Sequence, residues 1–287
     1  MIRGILEKED AALLSVVMRR KLWYDYLIQL LEKRNMFFDT HAHLDDAAFD
    51  EDREKLLAGL QQAGVELVLD PGCDLESSRR AAGLAEQYDF ICFAAGYHPE
   101  ELKSLSDETL EETLSLTEHP RCRAIGEIGL DYYWDDSRKE EQKALFHAQL
   151  SYAKERDIPV IVHDREAHGD CLAIVKQYPG LRGVFHCYSG SAEMARELLR
   201  MGWYLGFDGP VTYKNAKKAL EVLHICPDDR ILVETDSPYL PPVPMRGKRN
   251  DPSNLRYICA KIAEIKETDP EKIAQMTAAN GRALFGL

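Results

Sequence analysis

From residue 36 to the C-terminus, short apolar runs rich in β-branched and aromatic residues alternate with longer amphipathic stretches, without interruption. That rhythm restricts the chain to a mostly parallel α/β architecture, because each parallel strand needs a crossover of helical length before the next. The strand-like runs fall at residues 37–43, 65–71, 90–97, 122–129, 158–163, 183–188, 203–209 and 231–236. Amphipathic stretches at 52–63, 76–88, 137–157, 192–201 and 216–224 lie between them, and two more at 253–266 and 270–283 close the chain. Runs such as Val65-Glu66-Leu67-Val68-Leu69 and Ile231-Leu232-Val233 have the composition of buried parallel strands. Eight such units in roughly 250 residues match a (β/α)₈ TIM barrel. An open doubly wound sheet is the main competitor, but no Gly-x-Gly-x-x-Gly follows the first strand. No low-complexity linker divides residues 36–287, so one domain is expected there.

Residues 1–35 form a separate segment. Ala12, Val16, Leu22, Tyr26, Leu27, Leu30 and Leu31 recur at roughly helical spacing, with seven basic against five acidic residues, a net +2. One or two amphipathic helices are expected, serving in packing or oligomerisation, unless Met36 is the true start. The apolar stretch 11–18 follows Glu7-Lys8-Glu9-Asp10, the wrong lead for a secretory signal. No apolar run approaches the ~20 residues of a membrane span, and the cytoplasm is the expected location. The seven cysteines are scattered without a Cys-x-x-Cys pair, which argues against a disulfide framework or a zinc ribbon. A formal net charge of −13 disfavours a broad grip on duplex DNA, yet a local cation cluster can still admit a phosphate-bearing substrate.

In a barrel of this kind the reactive side chains sit at the C-terminal ends of the strands. The first strand brings His41 and His43, two residues apart and so on one face, about 7 Å apart along the backbone. Asp39 lies one step lower, where a carboxylate can hold a ligating ring in its tautomer. Later strands bring Glu127, His163, His186 and Asp236 to the same mouth. Six imidazoles and carboxylates exceed the needs of one tetrahedral zinc and suit two divalent ions ~3.5–4 Å apart. In that arrangement His41, His43 and Asp236 hold one ion, His163 and His186 the other, and Glu127 lies between them. Asp236 is also placed to orient a metal-bound water or take its proton. The reaction class this predicts is metal-assisted hydrolysis.

The segments His41-Ala42-His43-Leu44-Asp45, Gly126-Glu127-Ile128-Gly129-Leu130-Asp131-Tyr132, His163-x-Arg165, His186-Cys187-Tyr188-Ser189-Gly190, Glu234-Thr235-Asp236-Ser237-Pro238-Tyr239-Leu240 and Arg246-Gly247-Lys248-Arg249-Asn250-x-Pro252 together resemble the TatD family of metal-dependent deoxyribonucleases. The likeness runs in order from about residue 36 to the C-terminus, with Tyr188 where the family more often has Phe. It implies an amidohydrolase-type barrel, one or two divalent metals, and hydrolysis of phosphodiester bonds, often from a DNA 3′ end. Ions such as Mg²⁺, Mn²⁺ and Zn²⁺ all fit a His/carboxylate set.

Arg246, Lys248 and Arg249 put three positive charges beside the expected metals, with Arg165 and His98 as further candidates for holding substrate phosphate. Tyr132, Tyr133 and Trp134 either stack a nucleobase or cap the barrel. DNA ends or single strands are the expected substrate, with no obligate protein partner. A second reading keeps the metals and changes the bond to an ester or amide, such as an aminoacyl ester on tRNA. A third makes the chain a metal-dependent binding module without turnover.

Overall fold

The computed structural model describes residues 37–287. The segment 1–35 and the question of Met36 lie outside the described residues. Eight strands, β1 (Phe37–Asp39), β2 (Val65–Pro71), β3 (Ile91–Ala95), β4 (Cys122–Asp131), β5 (Val160–Arg165), β6 (Gly183–Phe185), β7 (Tyr204–Phe207) and β8 (Ile231–Val233), pair in parallel in sequence order. Backbone bonds close the ring between its ends: Thr40 N–H to Val233 O at 3.3 Å, Asp236 N–H to His41 O at 2.9 Å, and His43 N–H to Ser237 O at 2.8 Å. The chain therefore folds as the (β/α)₈ barrel its rhythm predicts.

Helices α1 (Arg53–Leu60), α2 (Leu75–Gln87), α3 (Asp107–Ser115), α4 (Lys139–Arg156), α5 (His168–Val175), α6 (Ala192–Arg200), α7 (Lys217–Ile225), α8 (Leu255–Lys266) and α9 (Pro270–Phe285) surround the strands. Several start where the sequence supplies a partner for the free N–H groups of a first turn. Asp74 and Ser77 form a reciprocal cap on α2, Ser106 and Thr109 do the same for α3, and Ser191 caps α6. Pro270 opens α9, where its missing N–H costs nothing. None of the described helices is long and apolar enough to cross a membrane.

Inside the ring, alternate strand residues form one cluster: Phe38, Leu67 and Leu69, Cys92 and Ala94, Ala124, Ile161, Val184 and Leu232. The alternation is the two-residue period of a strand. Leu284 and Phe285 of α9 complete this cluster, with the Phe285 ring edge-on to Phe38 at 6.0 Å. Gly281 lets α9 come this close, since a Cβ there would lie 2.6 Å from Phe38 Cδ1. The helix thus seals the end where the strands begin, and the other end is left for chemistry.

The strand bounds differ from the sequence expectation at that open end. β1, β6 and β8 stop at Asp39, Phe185 and Val233, so His41, His43, His186 and Asp236 sit just beyond the regular ladder. Cys187 (φ 42°) and Asp236 (φ 54°) adopt left-handed backbone, which turns the chain out of the strand direction. β4 instead runs two residues further than expected, to Asp131, and holds Glu127 well inside the ring.

Candidate metal centre

Glu127 is buried at the middle of the mouth and divides its two carboxylate oxygens between two groups of imidazoles. Oε2 lies 3.2 Å from His41 Nε2 and 3.6 Å from His43 Nε2. Asp236 Oδ1 completes that side, 3.7 Å from His41 Nε2 and 3.5 Å from His43 Nε2. Oε1 lies 2.7 Å from both His163 Nδ1 and His186 Nε2, which are 3.2 Å from each other. The structure therefore brings all six metal-type residues of the sequence reading into one continuous cluster. Donor sets compact enough to share an ion include His41, His43 and Asp236, and His41, Glu127 and His186.

Two of the four rings are tied to acceptors on their outward sides, while the outer nitrogens of His41 and His186 have no hydrogen-bond partner. His43 Nδ1 lies 3.2 Å from the Pro71 carbonyl, and His163 Nε2 lies 3.0 Å from Asp131 Oδ2. A proton on each of these outer nitrogens leaves the inner nitrogen with a lone pair aimed at the cluster, the orientation of a ligating histidine. With His43 and His163 neutral and so oriented, their inner lone pairs converge on the Glu127 and Asp236 carboxylates, and a cation relieves that repulsion. The donors suit divalent ions that accept imidazole and carboxylate together.

Without a metal, protons fill the role. Burial alone raises the Glu127 carboxyl, but the charges of His186, His41 and His98 outweigh it and hold it well below the usual carboxylate range. Burial pulls the His163 imidazole down, and bonds from Asp131 and Glu127 overcome that and push it up to about 9. His186 goes the same way, burial opposed and outweighed by Glu127. His41 moves down, with burial as the main cause and His186 next.

Four residues with no assigned role in the sequence reading shape this cluster. Asp131 carries His163 and is itself fixed by the Tyr133 and Trp134 N–H groups at 2.9 and 3.0 Å. Its position four residues after Glu127, on the same face of a strand, was the available signal. Glu234 is fully buried, takes the Cys187 N–H, and faces His186 Nδ1 at 3.6 Å. Asp208 lies buried beside it, its carboxyl pushed well up by burial and by Glu234 and Asp236. Cys73 places Sγ 4.0 Å from His43 Nδ1. Asp39, expected to hold a histidine ring, bonds elsewhere. Its carboxylate accepts from Thr235 N–H at 2.9 Å, Thr235 Oγ1 at 2.6 Å and His41 N–H at 3.3 Å, so it ties the β1 exit to the β8 exit.

The other candidates divide. His98 stands at the edge of the cluster, Nε2 3.5 Å from Glu127 Oε1, while its Nδ1 accepts the Glu100 N–H at 3.3 Å. That bond leaves the proton of a neutral ring on Nε2, facing the cluster. Arg165 lines the cavity of about 550 Å³ that adjoins His163, His186 and Asp236. Its guanidinium stacks 4.3 Å over Tyr133 and 5.5 Å from Trp134, both exposed. Tyr132 instead packs on the core and donates to Asp170 at 2.7 Å. Arg246 stacks 4.2 Å over Tyr213, a cavity residue, and Lys248 is exposed. Arg249 is engaged away from the cluster, with two bonds to Asp52 at 2.7 and 2.8 Å and one to the Ala48 carbonyl at 2.7 Å.

Residues 38–286 match the model of the TatD-related DNase family. A metal-dependent hydrolase of Bacillus subtilis strain 168, YabD, is 45% identical over 87% of this chain and 99% of its own length. A Citrobacter koseri protein named 3′-5′ ssDNA/RNA exonuclease TatD is 35% identical, over 87% of this chain and 99% of its own. The crystal structure of the TatD homologue YjjV from Escherichia coli K12 superposes with a TM-score of 0.83 at 34% identity, over 88% of this chain and 99% of the other. Barrel, acidic–imidazole cluster and sequence likeness agree, and the chain belongs to the TatD family of metal-dependent hydrolases.

Proposed function

We propose that this protein is a cytoplasmic exonuclease that removes nucleotides from the ends of single-stranded DNA. The observation that carries this is the division of Glu127, one oxygen toward His41, His43 and Asp236 and the other toward His163 and His186. Such a carboxylate would serve two divalent cations, Mg²⁺, Mn²⁺ or Zn²⁺, one held with His41, His43 and Asp236 and the other with His163 and His186. When bound, such ions supply a water that ionises near neutral pH and positive charge for the phosphate.

The protein's own groups do the rest. Asp236, beside His41 and His43, would orient the attacking water and take its proton. His98 donates from Nε2 to a phosphate oxygen, and Arg165, Arg246 and Lys248 bind phosphate around the mouth. Arg249, held by Asp52, fixes the loop that carries Arg246 and Lys248. Tyr133 and Trp134 offer faces on which a base can stack, a contact worth about 1–3 kcal/mol per base. The Citrobacter koseri relative's printed activity, on single-stranded DNA and RNA from the 3′ end, supports a strand end as substrate.

The test is digestion of a 5′-labelled single-stranded oligonucleotide with each metal, with EDTA and Asp236→Asn as controls. A ladder of shortened labelled products that both controls abolish is expected. Intact oligonucleotide after incubation with protein shown to hold metal would overturn the reading.

A further inference from the structure

The cavity beside the cluster holds cations that neither the fold nor the metal site accounts for. Its inner wall is His163, His186 and Asp236, and Arg165, Lys217 and Lys218 also line it. Lys217 and Lys218 are exposed, in the first turn of α7, and have no ion-pair partner among the described residues. A first turn normally favours acidic side chains, since cations there oppose the helix dipole. α7 has no acid in that turn to offset them. Several other lysines of the helical shell are paired, Lys143 with Glu140 and Asp170, Lys261 with Glu264, Lys266 with Asp228, whereas Lys154 donates to the Pro179 carbonyl. The wall also carries acids: Asp164 is occupied by His168 at 2.9 Å, Asp208 is buried with its carboxyl pushed well up by burial, and Glu166 is exposed. Two lysines without an ion pair among the described residues thus line an open volume joined to the proposed site of phosphate chemistry, in a chain of net charge −13.

We propose that Lys217 and Lys218 form a second phosphate subsite, which grips the strand next to the bond being cut. The cavity has the volume of a nucleotide-sized ligand. A nucleotide bound in this cavity would lie between His163, His186 and Asp236 on one side and Lys217 and Lys218 on the other, with the neighbouring phosphate on the two lysines. This inference rests on the nuclease reading, and it makes the protein selective for strands carrying several phosphates over an isolated phosphodiester.

The test compares wild type with Lys217→Ala/Lys218→Ala and with the charge-keeping pair Lys217→Arg/Lys218→Arg. Binding of a fluorescent oligothymidylate to EDTA-treated protein is followed by anisotropy across a salt series. The alanine pair is expected to bind about tenfold more weakly, with the log Kd–log salt slope reduced by about 0.7, the value for one phosphate contact on a single strand. The arginine pair is expected to keep the wild-type slope. For turnover, the ratio of kcat/KM on the oligonucleotide to that on bis(4-nitrophenyl) phosphate is expected to fall about tenfold in the alanine pair. Unchanged affinity and slope, loss of slope in the arginine pair, or an unchanged ratio would each overturn the subsite. Wild-type protein that binds the strand but never cuts it would overturn the nuclease reading alone. Cutting by wild type, with the alanine pair binding normally, would overturn the subsite alone.

Discussion

His163 Nε2 lies 3.0 Å from Asp131 Oδ2, and the same ring presents Nδ1 to Glu127 Oε1 at 2.7 Å. Asp131 therefore selects which nitrogen carries the proton and which faces the cluster. Replacing it by Asn keeps the shape and removes the charge that orients the ring. Asp131→Asn is expected to weaken metal binding by about 10- to 100-fold with the fold intact. Chelator competition, followed by elemental analysis, measures this, and wild-type affinity would remove Asp131 from the role.

Metal-free protein is expected to lose stability as the solution becomes alkaline. Burial disfavours the charged His163 ring, but Asp131 and Glu127 outweigh it and raise its pKa to about 9 from an ordinary 6.5. A raised folded-state value means the protonated ring stabilises the fold. That contribution is complete below about 6.5 and disappears as pH rises through about 9. The Tm of EDTA-treated protein should therefore fall between those limits, and His163→Gln should flatten the fall. A Tm that climbs over this window in wild type would contradict the assignment. Metal binding at neutral pH should also release at least one proton, visible with an indicator dye.

Asp39 is a fastener between the two ends of the barrel. Asp39→Ala leaves the buried Thr235 N–H without its acceptor and Oγ1 without one of its partners. A cost of about 2–3 kcal/mol follows from stranding such groups. Urea denaturation should show it in the metal-free protein, with Asp39→Asn milder because an acceptor remains. Equal stability of Asp39→Ala and wild type would mean the closure is held elsewhere.

Two effects compete at Gly281. Alanine in a helix is ordinarily better than glycine by about 1 kcal/mol. Here its Cβ would lie 2.6 and 2.8 Å from two carbons of the buried Phe38 ring. Overpacking costs about 1–3 kcal/mol, so Gly281→Ala is expected to destabilise. A gain in urea midpoint would show that the Phe38 ring yields at little cost.

Much of the fold is legible in the sequence. Buried parallel strands are short continuous apolar runs, helices repeat near every 3.6 residues, and both signals are local. Eight such units admit few arrangements, and strand ends place His41, His43, Glu127, His163, His186 and Asp236 together once the ring closes. Strand bounds were less legible. The chain leaves the ladder at Asp39, Phe185 and Val233 because of turns set by long-range bonds such as Asp236 N–H to His41 O.

The sequence by itself determined the barrel rhythm and the inventory of metal-type side chains, because composition and period act over neighbouring residues. Only the tertiary structure decided which partner each polar group takes. It gave Asp39 to Thr235 rather than to an imidazole, Arg249 to Asp52, and Asp131 to His163. It also divided Glu127 between two imidazole groups and left Lys217 and Lys218 along the cavity without an ion pair among the described residues. The physical reason is one of range. Asp39 and Thr235 are 196 positions apart, and Asp52 and Arg249 are 197. A hydrogen bond is decided within about 3 Å, a distance that is set only when the ring has closed.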